Sequence, residues 1–257
     1  MKVVLFCGGR GMRMREFSDT VPKPMVPVGS RPVLWHLMRY YAHFGHTDFI
    51  LALGYGADYI KRYFVEYQEW HSNDFVLRGP KGVEMLSTDI VDWSITFVDT
   101  GIDSNIGERL VAVREHLDGE ELFLANYGDG LSDVPIDVMV DELQNSDCVA
   151  NFLCVPPSQS FHVVRLDANG RASALEDAAT AGILVNGGFF VFRNELWDYV
   201  YPGEELVYEP FSRLMADGRL LAHRHAGFWM GMDTFKDRQA LDELQQAGRA
   251  PWELWRR

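Results

Sequence analysis

Cysteine is scarce in this 257-residue chain: there are three, Cys7, Cys148 and Cys154, and no two have CxxC spacing. So sparse and odd a set excludes a disulfide framework and a thiolate zinc site, and reduced thiols packed as small hydrophobes are expected. A basic excess is missing as well. Lys and Arg number 24 against 37 Asp and Glu, a net charge of −13 with His neutral. Non-specific nucleic-acid binding needs a basic face, so no nucleic-acid partner is expected. Any site for an anionic ligand must gather its own cations locally. No apolar run approaches the roughly 20 residues of a membrane span, so no membrane partner is expected either. The first residues run directly into a strand, Lys2 to Cys7. That is not the pattern of a signal peptide, and a cytoplasmic location is expected. Internal repeats and low-complexity tracts are absent too.

What is present is apolar material in an alternating order. Hydrophobic residues make up 47% of the chain, enough for one large α/β domain. Val3-Val4-Leu5-Phe6-Cys7, Phe49 to Leu53, Ile95 to Val98 and Leu122 to Ala125 are short unbroken apolar runs, the signature of strands buried on both faces. Between them the spacing predicts helices. One is set up by Ser30 as a cap region and Pro32 in the first turn, with Val33, Leu34, Leu37, Met38 and Tyr41 on one face; others run from about Asp58 to Tyr67 and Glu108 to His116. Alternating strands and helices predict a doubly wound, mostly parallel Rossmann-like α/β sheet. After Pro156-Pro157 the texture changes. Asn169-Gly170 marks a tight hairpin between Val163–Leu166 and Arg171–Leu175. Phe189 to Phe192 is a further strand, and helices are expected over Tyr208 to Ala216 and Thr234 to Gln246. The expected organisation is a single domain: a nucleotide-binding half over about 1–155, a smaller α+β substrate-binding portion over about 156–233, and a C-terminal helix over about 234–257.

The densest local signal is Gly8-Gly9-Arg10-Gly11-Met12-Arg13, directly after the first strand. Glycines at Gly8, Gly9 and Gly11 let a backbone pass close to a bulky anion and present its N–H groups, though the spacing alone also suits a plain tight turn. It is neither a Walker A loop nor the GxGxxG fingerprint. Two cations sharpen it: Arg13 ends the loop, and Lys23 stands in Pro22-Lys23-Pro24-Met25, where two prolines stiffen the chain around it. Asp129, in Tyr127-Gly128-Asp129-Gly130, falls at the carboxyl end of the fourth strand, the edge where open α/β sheets bind ligands. A carboxylate there can hold Mg²⁺ against phosphate oxygens, or serve a turn. Asp233 is a candidate second ligand that would also suit the N-cap of the last helix.

Read together, Gly-Gly-x-Gly-x-Arg, Pro-Lys-Pro-Met, Tyr-Gly-Asp-Gly, Asn186-Gly187-Gly188-Phe189-Phe190 and Gly227-Phe228-Trp229 through Met232-Asp233-Thr234 resemble the sugar nucleotidylyltransferases. Pro32-Val33-Leu34-Trp35-His36, Val98-Asp99-Thr100-Gly101, Gly107-Glu108-Arg109-Leu110 and Ala250-Pro251-Trp252 are similar to the branch that acts as glucose-1-phosphate cytidylyltransferases. The resemblance spans essentially the whole chain. It implies CTP and a phosphorylated small-molecule acceptor as substrates, pyrophosphate as the leaving group, Mg²⁺ as cofactor and a homo-oligomer. Arg13 and Lys23 would be catalytic, at the triphosphate and the α-phosphate. Gly8, Gly9 and Gly11 would cradle the nucleotide and Arg109 would lie near its base. Asp129 and Asp233 would hold the metal, and Asn186, Glu176 and His162 would face the acceptor. The Trp-rich C-terminus, Trp252 and Trp255, would be available to pack on a partner.

The chain departs from that family on the acceptor side. The family's Glu-Lys-Pro, whose lysine binds the acceptor's phosphate, is here Glu176-Asp177-Ala178. Its Arg-Phe-Gly is Ser160-Phe161-His162, and Met12 replaces a threonine in the glycine-rich loop. Arg165 and Arg171 are nearby cations that could take the lost lysine's place. The nucleotide side therefore matches better than the acceptor side. Two alternatives stay open beside glucose 1-phosphate: another, even non-sugar, phosphate or phosphonate acceptor, and a nucleotide-binding regulatory protein without turnover.

Overall fold

The computed structural model of the chain describes residues 1–9, 21–158, 161–178 and 180–256. Seven strands form one sheet: β1 (Val3–Phe6), β2 (Asp48–Leu53), β3 (Ser94–Asp99), β4 (Leu122–Asn126), β5 (Ala150–Val155), β6 (Val185–Arg193) and β7 (Leu220–Arg224). Their order across the sheet is β7-β5-β6-β4-β1-β2-β3. β1 pairs in parallel with β2 and β4, β2 with β3, and β5 with β7, while β6 runs antiparallel between β4 and β5.

The alternation of side chains explains why the sheet needs two covers. Val3 and Leu5 enter one apolar core with Phe49, Leu51 and Leu124, while Val4 and Phe6 enter a second core with Ile50, Ala52 and Phe123. A strand apolar at every position can be satisfied only between two layers of helices. The first core receives α1 (Val33–His43), α4 (Ile136–Gln144) and, through Leu241, α6 (Phe235–Gln246). The second receives α3 (Ile106–Ala112) and α5 (Glu209–Ala216). The remaining helix, α2 (Ala57–Val65), follows the end of β2 and buries Ile60 in the first core.

Several expectations change. Ser30 does not cap α1: the helix begins after Pro32, with no side-chain cap, and Ser30 sits exposed in the turn before it. The sheet draws on both halves of the chain, because β6 and β7 complete it from beyond residue 155. What stands off the sheet in the acceptor portion is the ribbon of His162–Leu166 paired with Ala172–Asp177. The strands β5 and β7 and helix α4 went unpredicted because their apolar runs are broken. Buried Asn151 interrupts β5, its Nδ2 donating to Met139 O at 3.0 Å and Glu142 Oε2 at 3.0 Å, and β7 ends in His223-Arg224. Finally, Trp252 is fully buried within the chain. Its Nε1 donates to His36 Nδ1 at 3.3 Å and its ring packs on Phe228. Trp255 lies edge-on to Trp35. The tail therefore closes over α1 of its own chain.

Candidate active site

Asp129 is delivered to the carboxyl edge of the sheet by a turn that only glycine fits. Gly128 has φ +64°, and a Cβ there would lie 2.8 Å from Phe6 O and 3.5 Å from Cys7 Sγ. The end of β4 therefore lies tight against the end of β1. Beyond it, Gly130–Ser132 pairs antiparallel with Trp229–Gly231, and Met232 N donates to Asp129 O at 3.0 Å. This short pairing brings Asp233 beside Asp129 across 104 residues of sequence. The cap of α6 is Thr234, not Asp233: Thr234 Oγ1 accepts from Asp237 N while the Asp237 carboxylate accepts from the Thr234 backbone.

Lys23 joins the two carboxylates. Its Nζ donates to Asp129 Oδ2 at 2.6 Å and to Asp233 Oδ1 at 2.7 Å. It sits on a single 3₁₀ turn, Lys23–Met25, between the buried rings of Pro22 and Pro24. Gly56 (φ +70°) lets the Pro22 ring come close, since a Cβ there would be 2.7 Å from it. Burial opposes the ammonium charge, but Asp129 and Asp233 outweigh it and hold Lys23 above its ordinary pKa. Burial raises the Asp129 carboxyl in spite of Lys23, and the like charge of Asp233 adds to the rise. Two carboxylate oxygens thus converge on one cationic atom. Among the described residues no group of three or more His, Cys, Asp and Glu joins into a fuller metal cluster.

Gly8 and Gly9 follow β1 on the same edge, and the reason for Gly8 differs from the one expected. A Cβ on Gly8 would lie 2.0 Å from Arg109 Nη1. The close neighbour of this backbone is therefore an arginine of α3. Arg109 is 3% exposed. Its Nη1 donates to Leu53 O at 3.1 Å, Thr100 Oγ1 at 2.7 Å and Gly101 O at 2.8 Å, and its Nη2 donates to Gly8 O at 3.1 Å. Arg109, expected near the base, thus has its guanidinium engaged by backbone at this edge, Gly8 included. The guanidinium is committed to Gly8 O and ties together the ends of β1, β2 and β3. Among the described residues, nothing lies within 4 Å of where a Cβ on Gly9 would be. Gly11, Met12 and Arg13 lie outside the described residues.

A cleft of about 390 Å³ opens at this edge, lined by Gly9, Tyr127, Asp129, Asn186, Trp229 and Asp233 among others. Asn186 therefore shares the cleft with both aspartates. His162 and Glu176 are not among its lining residues. They sit on the outlying ribbon, where His162 stands opposite Asp177 and Glu176 pairs with Arg165 at 3.4 Å. The ribbon pairs with no strand of the main sheet, and Arg165 is engaged on the ribbon itself. Sequence reasoning missed Tyr127 and Trp229. The tyrosine opens a motif already singled out and the tryptophan sits four residues before Asp233, but what each touches depends on β6, far away in sequence.

Comparison with known proteins bears on this edge as a whole. A family model described as nucleotidyl transferase matches residues 2–237. A glucose-1-phosphate cytidylyltransferase of Salmonella typhi is 35% identical over 256 residues, covering 99% of this chain and 100% of its own. A UTP–glucose-1-phosphate uridylyltransferase of Synechocystis sp. is 25% identical over 230 residues, covering 85% of this chain and 56% of its own. Among solved structures, HddC from Yersinia pseudotuberculosis superposes with a TM-score of 0.66 at 17% identity, covering 94% of this chain and 98% of that one. That likeness is one of fold.

Proposed function

The chain belongs to the nucleotidyl transferase family and is a nucleotidyltransferase; from that premise we propose that it transfers CMP from CTP to a sugar 1-phosphate, glucose 1-phosphate first, and releases pyrophosphate. The observation that carries this reading is the meeting of Lys23, Asp129 and Asp233 within 2.7 Å at the carboxyl edge of the sheet. CTP and glucose as partners rest on the 35% identity to a glucose-1-phosphate cytidylyltransferase over the full length of both chains. An oxygen of the acceptor's phosphate monoester attacks the α-phosphorus in line. A new P–O bond forms, the bond from the α-phosphorus to the bridging oxygen breaks, and the electron pair leaves on pyrophosphate. The monoester is already ionised near neutral pH, so no base is required, and catalysis consists of positioning and charge neutralisation.

Lys23 is assigned to the charge that builds at the α-phosphate. Arg13 keeps the role at the triphosphate that the family resemblance implies. Among the described residues Gly9 leaves room for a phosphate against the backbone, while Arg109 acts by holding Gly8. Asp129 and Asp233 fit Mg²⁺, because hard carboxylate oxygens already converge on one cationic atom. Bound there, Mg²⁺ would neutralise phosphate charge. Asn186 is assigned to the acceptor's hydroxyls.

Asp177, where relatives carry a phosphate-binding lysine, favours a second reading: the same transfer to a different phosphate or phosphonate. Pyrophosphate release with Mg²⁺ separates the two readings, with CTP, UTP, TTP and ATP crossed against sugar 1-phosphates and non-sugar phosphates. Release with CTP and glucose 1-phosphate is expected. Release only with another acceptor would establish the second reading, and no release from any pair would remove both.

A further inference from the structure

We propose that Tyr127 determines acceptor specificity, its phenol O–H donating to a hydroxyl oxygen of the acceptor beside the side-chain N–H of Asn186. The inference rests on the reading above that the acceptor is a sugar phosphate, and it assigns the donors that would recognise that sugar.

Tyr127 follows β4 directly and is clamped. Its backbone N donates to Gly188 O at 3.2 Å, and its ring packs edge-on to Phe190 at 5.2 Å. Gly188 has φ +75°, and a Cβ there would lie 2.5 Å from Tyr127 Cδ2. The glycine exists to let this ring in. Asn186 is fixed from the same turn. Its Oδ1 accepts from Gly188 N at 2.8 Å, which settles which end of the amide is oxygen. The Nδ2 end then faces Tyr127, donating to the phenol oxygen at 3.2 Å. On the far side, Trp229 Nε1 donates to Gly187 O at 2.8 Å and holds the turn in place.

The consequence is a matter of counting protons. An amide nitrogen can only donate, so the phenol oxygen is the acceptor in that bond and its own proton is directed elsewhere. Among the described residues none accepts it. Asn186 Nδ2 likewise has a second N–H. Both residues line the cleft that holds Asp129 and Asp233. The wall therefore offers two adjacent neutral donors, and no Lys, Arg or His is among the cleft's described lining residues. Neutral donors without a cation suit sugar hydroxyl oxygens in preference to an anionic group.

The test compares wild type with Tyr127→Phe, which keeps the ring and removes the proton. Matching melting temperatures would show that the variant folds. With glucose 1-phosphate, KM for the acceptor is expected to rise about tenfold, the scale of one neutral hydrogen bond, while KM for CTP and kcat stay near wild type. A series of monodeoxy glucose 1-phosphates gives the readout that a purely structural role would not move. Wild type is expected to penalise one member, and Tyr127→Phe to lose that penalty. Turnover by wild type with the same penalties in Tyr127→Phe would overturn the role of Tyr127 alone. Absence of wild-type turnover with every sugar phosphate, together with no binding of glucose 1-phosphate by calorimetry, would overturn the sugar reading and this inference with it.

Discussion

At the scale of single residues, the candidate site depends on side chains that have no substitute nearby. Asp129→Asn keeps the shape of the turn and removes a charge from Lys23. Metal-dependent pyrophosphate release is expected to fall by roughly two orders of magnitude or more, since charge neutralisation is the main source of rate here. Activity within tenfold of wild type would remove Asp129 from the metal site. Lys23→Met leaves two converging carboxylates without the ammonium that now bridges them at 2.6 and 2.7 Å. The same loss of turnover is expected. Mn²⁺, followed by its electron paramagnetic resonance signal, should bind the nucleotide-free variant more tightly than the wild type, because an internal cation no longer competes. Equal affinity would contradict that competition. Charged residues such as these were legible in the sequence because their motifs are short and local. Their pairings were not legible. Lys23 and Asp233 are 210 positions apart, and nothing in either motif says that one ammonium bridges both carboxylates.

At the scale of elements, Arg109 holds the ends of β1, β2 and β3 through backbone carbonyls. Arg109→Met would remove the one side chain that bridges these carbonyls, although Leu53 O keeps Thr100 N and Oγ1 and Gly8 O keeps Tyr55 N. Hydrogen bonds from a charged donor are each worth roughly 1.5–3 kcal/mol, so a loss on the order of 3 kcal/mol is expected. Urea unfolding checks the stability, and an increased KM for CTP is expected where the variant still folds, because Gly8 loses its anchor. An unchanged unfolding midpoint would show that Arg109 is not the brace. The central strands were readable from sequence because β1, β2 and β4 are apolar at nearly every position and buried on both faces. β5 and β7 were not, because each carries polar residues that only a neighbouring element explains. The same logic hid the C-terminal packing. Trp252 reads as a surface tryptophan at the end of a polar helix, yet it is fully buried. Trp252→Ala is expected to cost roughly 3–5 kcal/mol, the usual range for deleting a buried aromatic. A cost below about 1 kcal/mol would mean that the tail does not close on α1 in solution.

At the scale of the whole molecule, stability should depend on pH through two imidazoles, the buried His36 and the half-buried His46. Burial pushes His36 and His46 down to about 4, against an ordinary value of about 6.5. His36 already uses both ring nitrogens, with Glu253 Oε1 3.7 Å from its Nδ1. Its Nε2 donates to Val28 O at 2.9 Å and its Nδ1 accepts from Trp252. Above the ordinary value both folded and unfolded chains hold neutral imidazoles, so these groups add no pH dependence there. As pH falls from about 6.5 towards 4, the unfolded chain takes up protons that the folded chain refuses. Stability therefore falls, by at most ~1.4 kcal/mol per pH unit for each histidine. Urea midpoints between about pH 7 and pH 5 should show this slope, and His46→Asn should flatten it. A slope unchanged by the substitution would mean that His46 protonates freely in the folded state. No helix among the described residues is long and apolar enough to cross a membrane.

The proposed reaction is one transfer, in which an acceptor's monoester oxygen displaces pyrophosphate from the α-phosphorus of CTP. Phosphorus NMR of the protein with CTP, glucose 1-phosphate and Mg²⁺ observes that transfer directly. The account predicts the paired signals of a new diphosphate linkage between cytidine and glucose, growing in equal amount with pyrophosphate. Conversion of CTP to CDP and inorganic phosphate, with glucose 1-phosphate left intact, would contradict it, because the bond broken would then lie at the wrong phosphorus.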